Sequence, residues 1–132
     1  MMRRICLSTV ALAMLAAPAF AAEDRCQAPV APVVPKDGKA ATQQDMLQAN
    51  KDVVAFIKDS DQYQLCLKAA IDDTEKQIKD IDPKHDEGGA IRKQLLALQK
   101  DLTNKGDQNQ KEKVRLGQAY NAAATAYKSA HK

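Results

Sequence analysis

From Thr42 onward the chain repeats apolar residues at alternating three- and four-residue steps. Met46, Val53, Leu67 and Ile81 form one row at multiples of seven, with Ser60 and Thr74 standing in its gaps. Ala49, Phe56, Tyr63 and Ala70 form the adjoining row, and Ile57, Ile71 and Ile78 widen the stripe. This is the spacing of one helix face, and no glycine or proline interrupts it. One helix over about 41–82 is predicted, roughly 63 Å long. Thr42-x-x-Asp45 supplies its start, a hydroxyl for an unpaired amide and a carboxylate near the positive helix end. Asp82-Pro83 ends it, because the residue before proline is pushed out of the helical region. His85-Asp86-Glu87-Gly88-Gly89 makes the connection. A second helix is predicted over about 89–131, with Ile91, Leu95, Leu98 and Leu102 on one face and Val114, Tyr120, Ala124 and Tyr127 continuing the pattern.

Between those two groups lies the polar run 104–110, which contains Gly106. It is either a break, giving a three-helix bundle, or a polar stretch within one long helix. Folding the second helix back about residue 85 makes facing residues sum to about 170. Ile71 then lands near Leu98, Ile57 near Val114, and the polar stretch Lys58–Gln64 lands on the polar run of the second helix. Apolar meets apolar and polar meets polar, as a continuous antiparallel hairpin requires. Residues 41–82 carry five lysines and nine carboxylates, whereas 89–132 carry nine basic and three acidic residues. Opposite charge favours this pairing over self-pairing of either helix. The fold class expected is all-α: a long, coiled-coil-like antiparallel two-helix hairpin, with the bundle broken near Gly106 as the alternative.

Residues ahead of the hairpin differ in kind. Arg3 and Arg4, the apolar run Ile5–Ala17, Pro18 and then Ala19-Phe20-Ala21 have the layout of a secretory signal peptide, expected to be removed after Ala21. Thirteen apolar residues are too few to cross about 30 Å of hydrocarbon, so no stable transmembrane segment is expected after cleavage. Cys6 lies inside the signal, at the start of the apolar run, and is not a lipid-attachment cysteine. Residues 22–40 contain Pro29, Pro32 and Pro35, which favour an extended strap over a helix. Asp37-Gly38 reads as a turn. An exported chain left with one pair of cysteines is expected to bridge them, so Cys26 and Cys66 are assigned to a disulfide. The strap can reach: sixteen residues in a polyproline-like chain span up to about 50 Å, against about 36 Å of helix from Thr42 to Cys66. Val30, Val33 and Val34 are expected to cover part of the hairpin groove.

Export also changes the charge balance. The full chain has 20 basic and 17 acidic residues; without Arg3 and Arg4 the excess is a single positive charge, and nucleic acid is not an expected partner. Asp82, His85, Asp86 and Glu87 cluster at the hairpin tip and are the weak candidates for a divalent metal, the plainer reading being a solvated connection. Asp80-x-Asp82 is not a calcium loop, since Lys84, His85 and Ile91 occupy positions that need oxygen ligands, glycine and glutamate. Asp72, Asp73 and Glu75 crowd one turn, but paired carboxylates do acid–base work only in a desolvated cleft. Phe56 with Tyr63, and Tyr120 with Tyr127, read as seam packing. No nucleophile, zinc or phosphate-loop motif is present. Neither an enzyme nor a cofactor is expected.

Cys26 followed by spaced prolines, Asp37-Gly38-x-x-Ala41-Thr42, Tyr63-x-x-Cys66-Leu67, Asn109-Gln110-x-Glu112-x-Val114 and Ala126-Tyr127-Lys128 together resemble small exported proteins of alphaproteobacteria. That resemblance spans nearly the whole chain after the signal and implies compartment and architecture, with no activity attached. The expectation is a periplasmic or secreted, non-enzymatic helical protein of a Gram-negative bacterium. It would act by binding an envelope protein or by self-association, the alternatives being a holdase-like chaperone and a weak metal binder.

Overall fold

The computed structural model describes residues 26–86 and 89–132. The expected signal peptide, and Glu87 at the tip, lie outside the described residues. Two helices follow the strap: α1, Gln43–Asp80, and α2, Ala90–Ala130. They pack side by side as an antiparallel, all-α hairpin. α2 runs unbroken through Gly106, so the three-helix alternative falls.

Each helix end has a local cause. Thr42 caps α1 with both halves of a capping box. Its hydroxyl oxygen accepts from the Asp45 amide at 3.1 Å, while the Asp45 carboxylate accepts from the Thr42 amide at 2.9 Å. α1 stops at Asp80, and Ile81 turns to extended backbone (φ −63, ψ 119) ahead of Asp82-Pro83. α2 opens differently. Gly89 has φ 68, the left-handed region that favours glycine, and offers no side chain to cap with. Asp86 does the capping from three residues upstream: its carboxylate accepts from the Ile91 and Arg92 amides at 2.8 and 3.2 Å.

The seam follows the seven-residue repeat. α1 buries Met46, Ala49, Val53, Phe56, Ser60, Tyr63, Leu67 and Thr74. α2 buries Leu102, Asn109, Leu116 and Ala123, each one heptad from the next. Cross-helix hydrogen bonds join Asn50 to Tyr120, Ser60 to Asn109 and Gln64 to Gly106. Those pairs sum to 169–170, the expected register. Two members of the expected α2 stripe sit elsewhere. Val114 is 50% exposed, because it lies twelve residues past Leu102 and hence about a third of a turn off the seam. Ile91 is 47% exposed because it stands in the first turn of α2, opposite the last turn of α1.

Candidate functional site

The feature that departs most from a plain hairpin is the strap. Cys26 and Cys66 are bonded, with Cα atoms 5.6 Å apart. Cys26 packs against the cluster of Tyr63, Leu67 and Leu102 at mid-hairpin. From there the chain runs back toward the start of α1 without helix or strand. Its far end is seated by Val34 and Ala41 in a second cluster with Met46, Ala123, Tyr120 and Tyr127. A polyproline-type chain has three residues per turn, and the burial pattern follows that period. Pro29, Pro32 and Pro35 are half-buried, as are Ala31 and Val34, while Val30, Val33 and Lys36 are exposed. The expectation that Val30, Val33 and Val34 all cover the groove therefore holds only for Val34. Val30 and Val33 are 91% and 88% exposed, because a threefold helix cannot turn residues 30, 33 and 34 to one side.

The approach of strap to hairpin is closest at Gly38. A Cβ there would lie 2.9 Å from the Ala123 Cα and would overlap the Ala123 carbonyl. Gly38 is needed for proximity, not for an unusual φ. Asp37 shapes the bend beside it by accepting the Lys39 amide at 2.9 Å. Between strap and α2 lies an open groove of about 600 Å³, floored by Leu116, Ala119 and Ala123 and edged by Arg115. Arg115 is tied to Glu112 through two hydrogen bonds, and its guanidinium holds the Glu112 carboxyl below the usual carboxylate range.

The tip residues are taken up by the turn. Asp82 accepts the Lys84 amide at 2.9 Å and faces the His85 ring at 3.0 Å. Asp86, expected as a solvated candidate ligand, is 9% exposed and committed to the α2 amides. Among the described residues no group of three or more His, Cys, Asp or Glu is placed to hold a metal ion. The carboxylates at 72–75 disperse to separate partners: Asp72 to Lys68, Asp73 to Gln77 and Glu75 to Gln99. Phe56 and Tyr63 are core, as expected, at 4% and 7% exposure. Tyr120 and Tyr127 are half-buried, and the Tyr120 hydroxyl accepts from Asn50 at 2.9 Å.

A buried polar layer crosses mid-hairpin. Asn109 donates to Ser60 Oγ at 3.1 Å and accepts from Gln64 at 2.9 Å, and Gln64 also donates to the Gly106 carbonyl at 2.8 Å. Sequence reasoning placed polar against polar here but not Asn109 at the centre. Its signal was present: seven residues separate it from both Leu102 and Leu116. No helix among the described residues is long and apolar enough to cross a membrane. Compared with known protein families, curated proteins and solved structures, the chain gives no match to any of the three.

Proposed function

We propose that this is an exported, non-enzymatic binding or structural protein of the cell envelope, working in the periplasm or outside the cell. The observation that carries this reading is the clasped strap. A segment without helix or strand is fixed at one end by Cys26–Cys66 and at the other by Gly38 against Ala123. Such pre-ordering spares a partner the entropy of fixing a loose chain. Its outward edge, Val30 and Val33, offers apolar side chains on a rigid support. A partner of matching chemistry has an apolar groove that receives a polyproline-type ridge. An even cysteine pair closed into a bridge also suits an oxidising compartment.

The test is a photo-crosslinking residue at position 33 in the exported protein, followed by capture from envelope extract. A discrete adduct that disappears on Val30→Ser is the expected result. If labelling at 33 is no more specific than at exposed Lys93, the strap is not the binding edge. Exposed Leu47, Val54 and Leu65 favour a second reading, a holdase for unfolded exported chains. That reading requires suppression of aggregation of an unfolded client at stoichiometric ratio.

A further inference from the structure

We propose that the Cys26–Cys66 bridge is a redox latch: opening it frees the strap from Cys26 to Val33 and leaves the rest of the strap and the hairpin in place. The two halves of the strap are held by different means. Among the described residues, none from 27 to 36 makes a hydrogen bond. Gln27, Ala28, Val30 and Val33 are exposed, and only Pro29, Ala31 and Pro32 between them are half-buried. This limb is therefore fixed chiefly by the bridge itself and by the contact of Cys26 with Tyr63, Leu67 and Leu102. The far half has no need of the bridge. Val34 and Ala41 pack with Met46 and Ala123, and Gly38 is buried against the Ala123 backbone. Asp37 accepts the Lys39 amide, and the Thr42 capping box follows directly.

The hairpin likewise has fastenings of its own. The Asn50–Tyr120, Ser60–Asn109 and Gln64–Gly106 hydrogen bonds join α1 to α2 without the strap. Ordering a backbone segment costs entropy that burial must offset, and the limb 27–33 buries little. Once Cys26 is untethered, that limb opens locally while the parts packed by their own contacts stay closed. Cys26 and Cys66 are half-buried rather than sealed, so a dithiol can reach them. One of its thiolates attacks a sulfur of the bridge and expels the other sulfur as a thiolate. Its second thiolate then displaces the mixed disulfide. Two electrons pass from the dithiol, which leaves as a disulfide, and the protons it gives up balance those taken by Cys26 and Cys66 as thiols. No other cysteine lies among the described residues, so closure has a single product. Val30 and Val33 both stand on the freed limb, so reduction dissolves the ordered apolar ridge. That consequence for binding rests on the strap being the binding edge, as proposed above; the release itself does not.

The heteronuclear NOE of the backbone amides, which reports picosecond-to-nanosecond motion residue by residue, tests this well below the melting transition. In the bridged protein Gln27, Ala28, Val30, Ala31 and Val33 are expected to show values close to those of the helices. With dithiothreitol, and in Cys26→Ser, those five are expected to fall toward zero while Gly38, Ala41 and both helices keep theirs. Reoxidation should restore the wild type and not the variant. Unchanged values over residues 27–33 overturn the proposal. So does motion that spreads through Ala41, or loss of the helical circular dichroism signal, since opening would then be global. Photo-crosslinking at position 33 is scored separately, and reduction is expected to lower the adduct about tenfold, as the binding-ready conformation becomes a minor one. An adduct indifferent to reduction, beside a released limb, removes the strap as the binding edge and leaves the latch standing.

Discussion

Two small side chains at the ends of the strap and α1 show how single residues set this architecture. Thr42 satisfies an amide that the first turn of α1 would leave bare, and Thr42→Ala is expected to cost about 1 kcal/mol in chemical denaturation. The effect depends on pH. Hydrogen bonds from the Thr42 hydroxyl and amide hold the Asp45 carboxyl below its ordinary range. That stabilisation is complete above the pH at which an unfolded aspartate ionises, and it is lost as pH falls through the lower folded value. The gap between wild type and Thr42→Ala should therefore narrow in acid. Gly38 acts by size alone. Gly38→Ala forces the strap away from Ala123 at a cost of about 1–3 kcal/mol, and hydrogen exchange should quicken over residues 27–40 while α2 stays protected. Unchanged exchange there would show that the contact does not hold the strap.

At the scale of elements, the two helices were legible because a heptad row and its charge pattern carry their own period. Ser60 and Thr74 looked like gaps in that row, and both are buried, at 0% and 1% exposure. Thr74 turns its hydroxyl to the Ala70 carbonyl at 2.8 Å, and Ser60 receives Asn109, so small polar groups fill the seam with their bonds made. In the second half of α2, Tyr120, Ala124 and Tyr127 pack on the core as their spacing implies, and only Val114 and Asn109 were misplaced, because one is apolar and the other is not, and composition outweighed phase. Gly38 and Asp86 were opaque for a different reason. Each acts across a distance that only the folded chain defines, one on Ala123 and the other on the α2 amides. The strap's outer edge was opaque too, since a threefold period over nine residues is short. The polar layer fixes which residues of α1 and α2 face each other. Removing its centre with Asn109→Ala leaves the Ser60 hydroxyl buried without that partner. We expect a loss of about 1–3 kcal/mol, read as a lower denaturation midpoint at unchanged slope.

For the whole molecule, the decisive quantity is how little core a two-helix rod possesses. The helices of 38 and 41 residues extend to roughly 60 Å but share a single seam, so much apolar surface stays wet. Closing a loop of 40 residues stabilises such a chain by about 4 kcal/mol in the loop-entropy account. Reduction, or Cys26→Ser with Cys66→Ser, should lower Tm by on the order of 15 °C. Far-ultraviolet circular dichroism at low temperature should change little, because the strap contributes no helix. A melt insensitive to reductant would mean that packing alone carries the fold.

The placement of the bridge divides the chain unequally. Both cysteines precede α2, so the covalent ring encloses the strap and nearly two-thirds of α1, and nothing covalent beyond the tip retains α2. A protease that nicks between residues 27 and 41 leaves two pieces that migrate together until thiol is added. One that cuts between residues 81 and 89 leaves a fragment of α2 held by side-chain contact alone, free to depart or to be exchanged. The two ends of this rod therefore differ in how they survive damage.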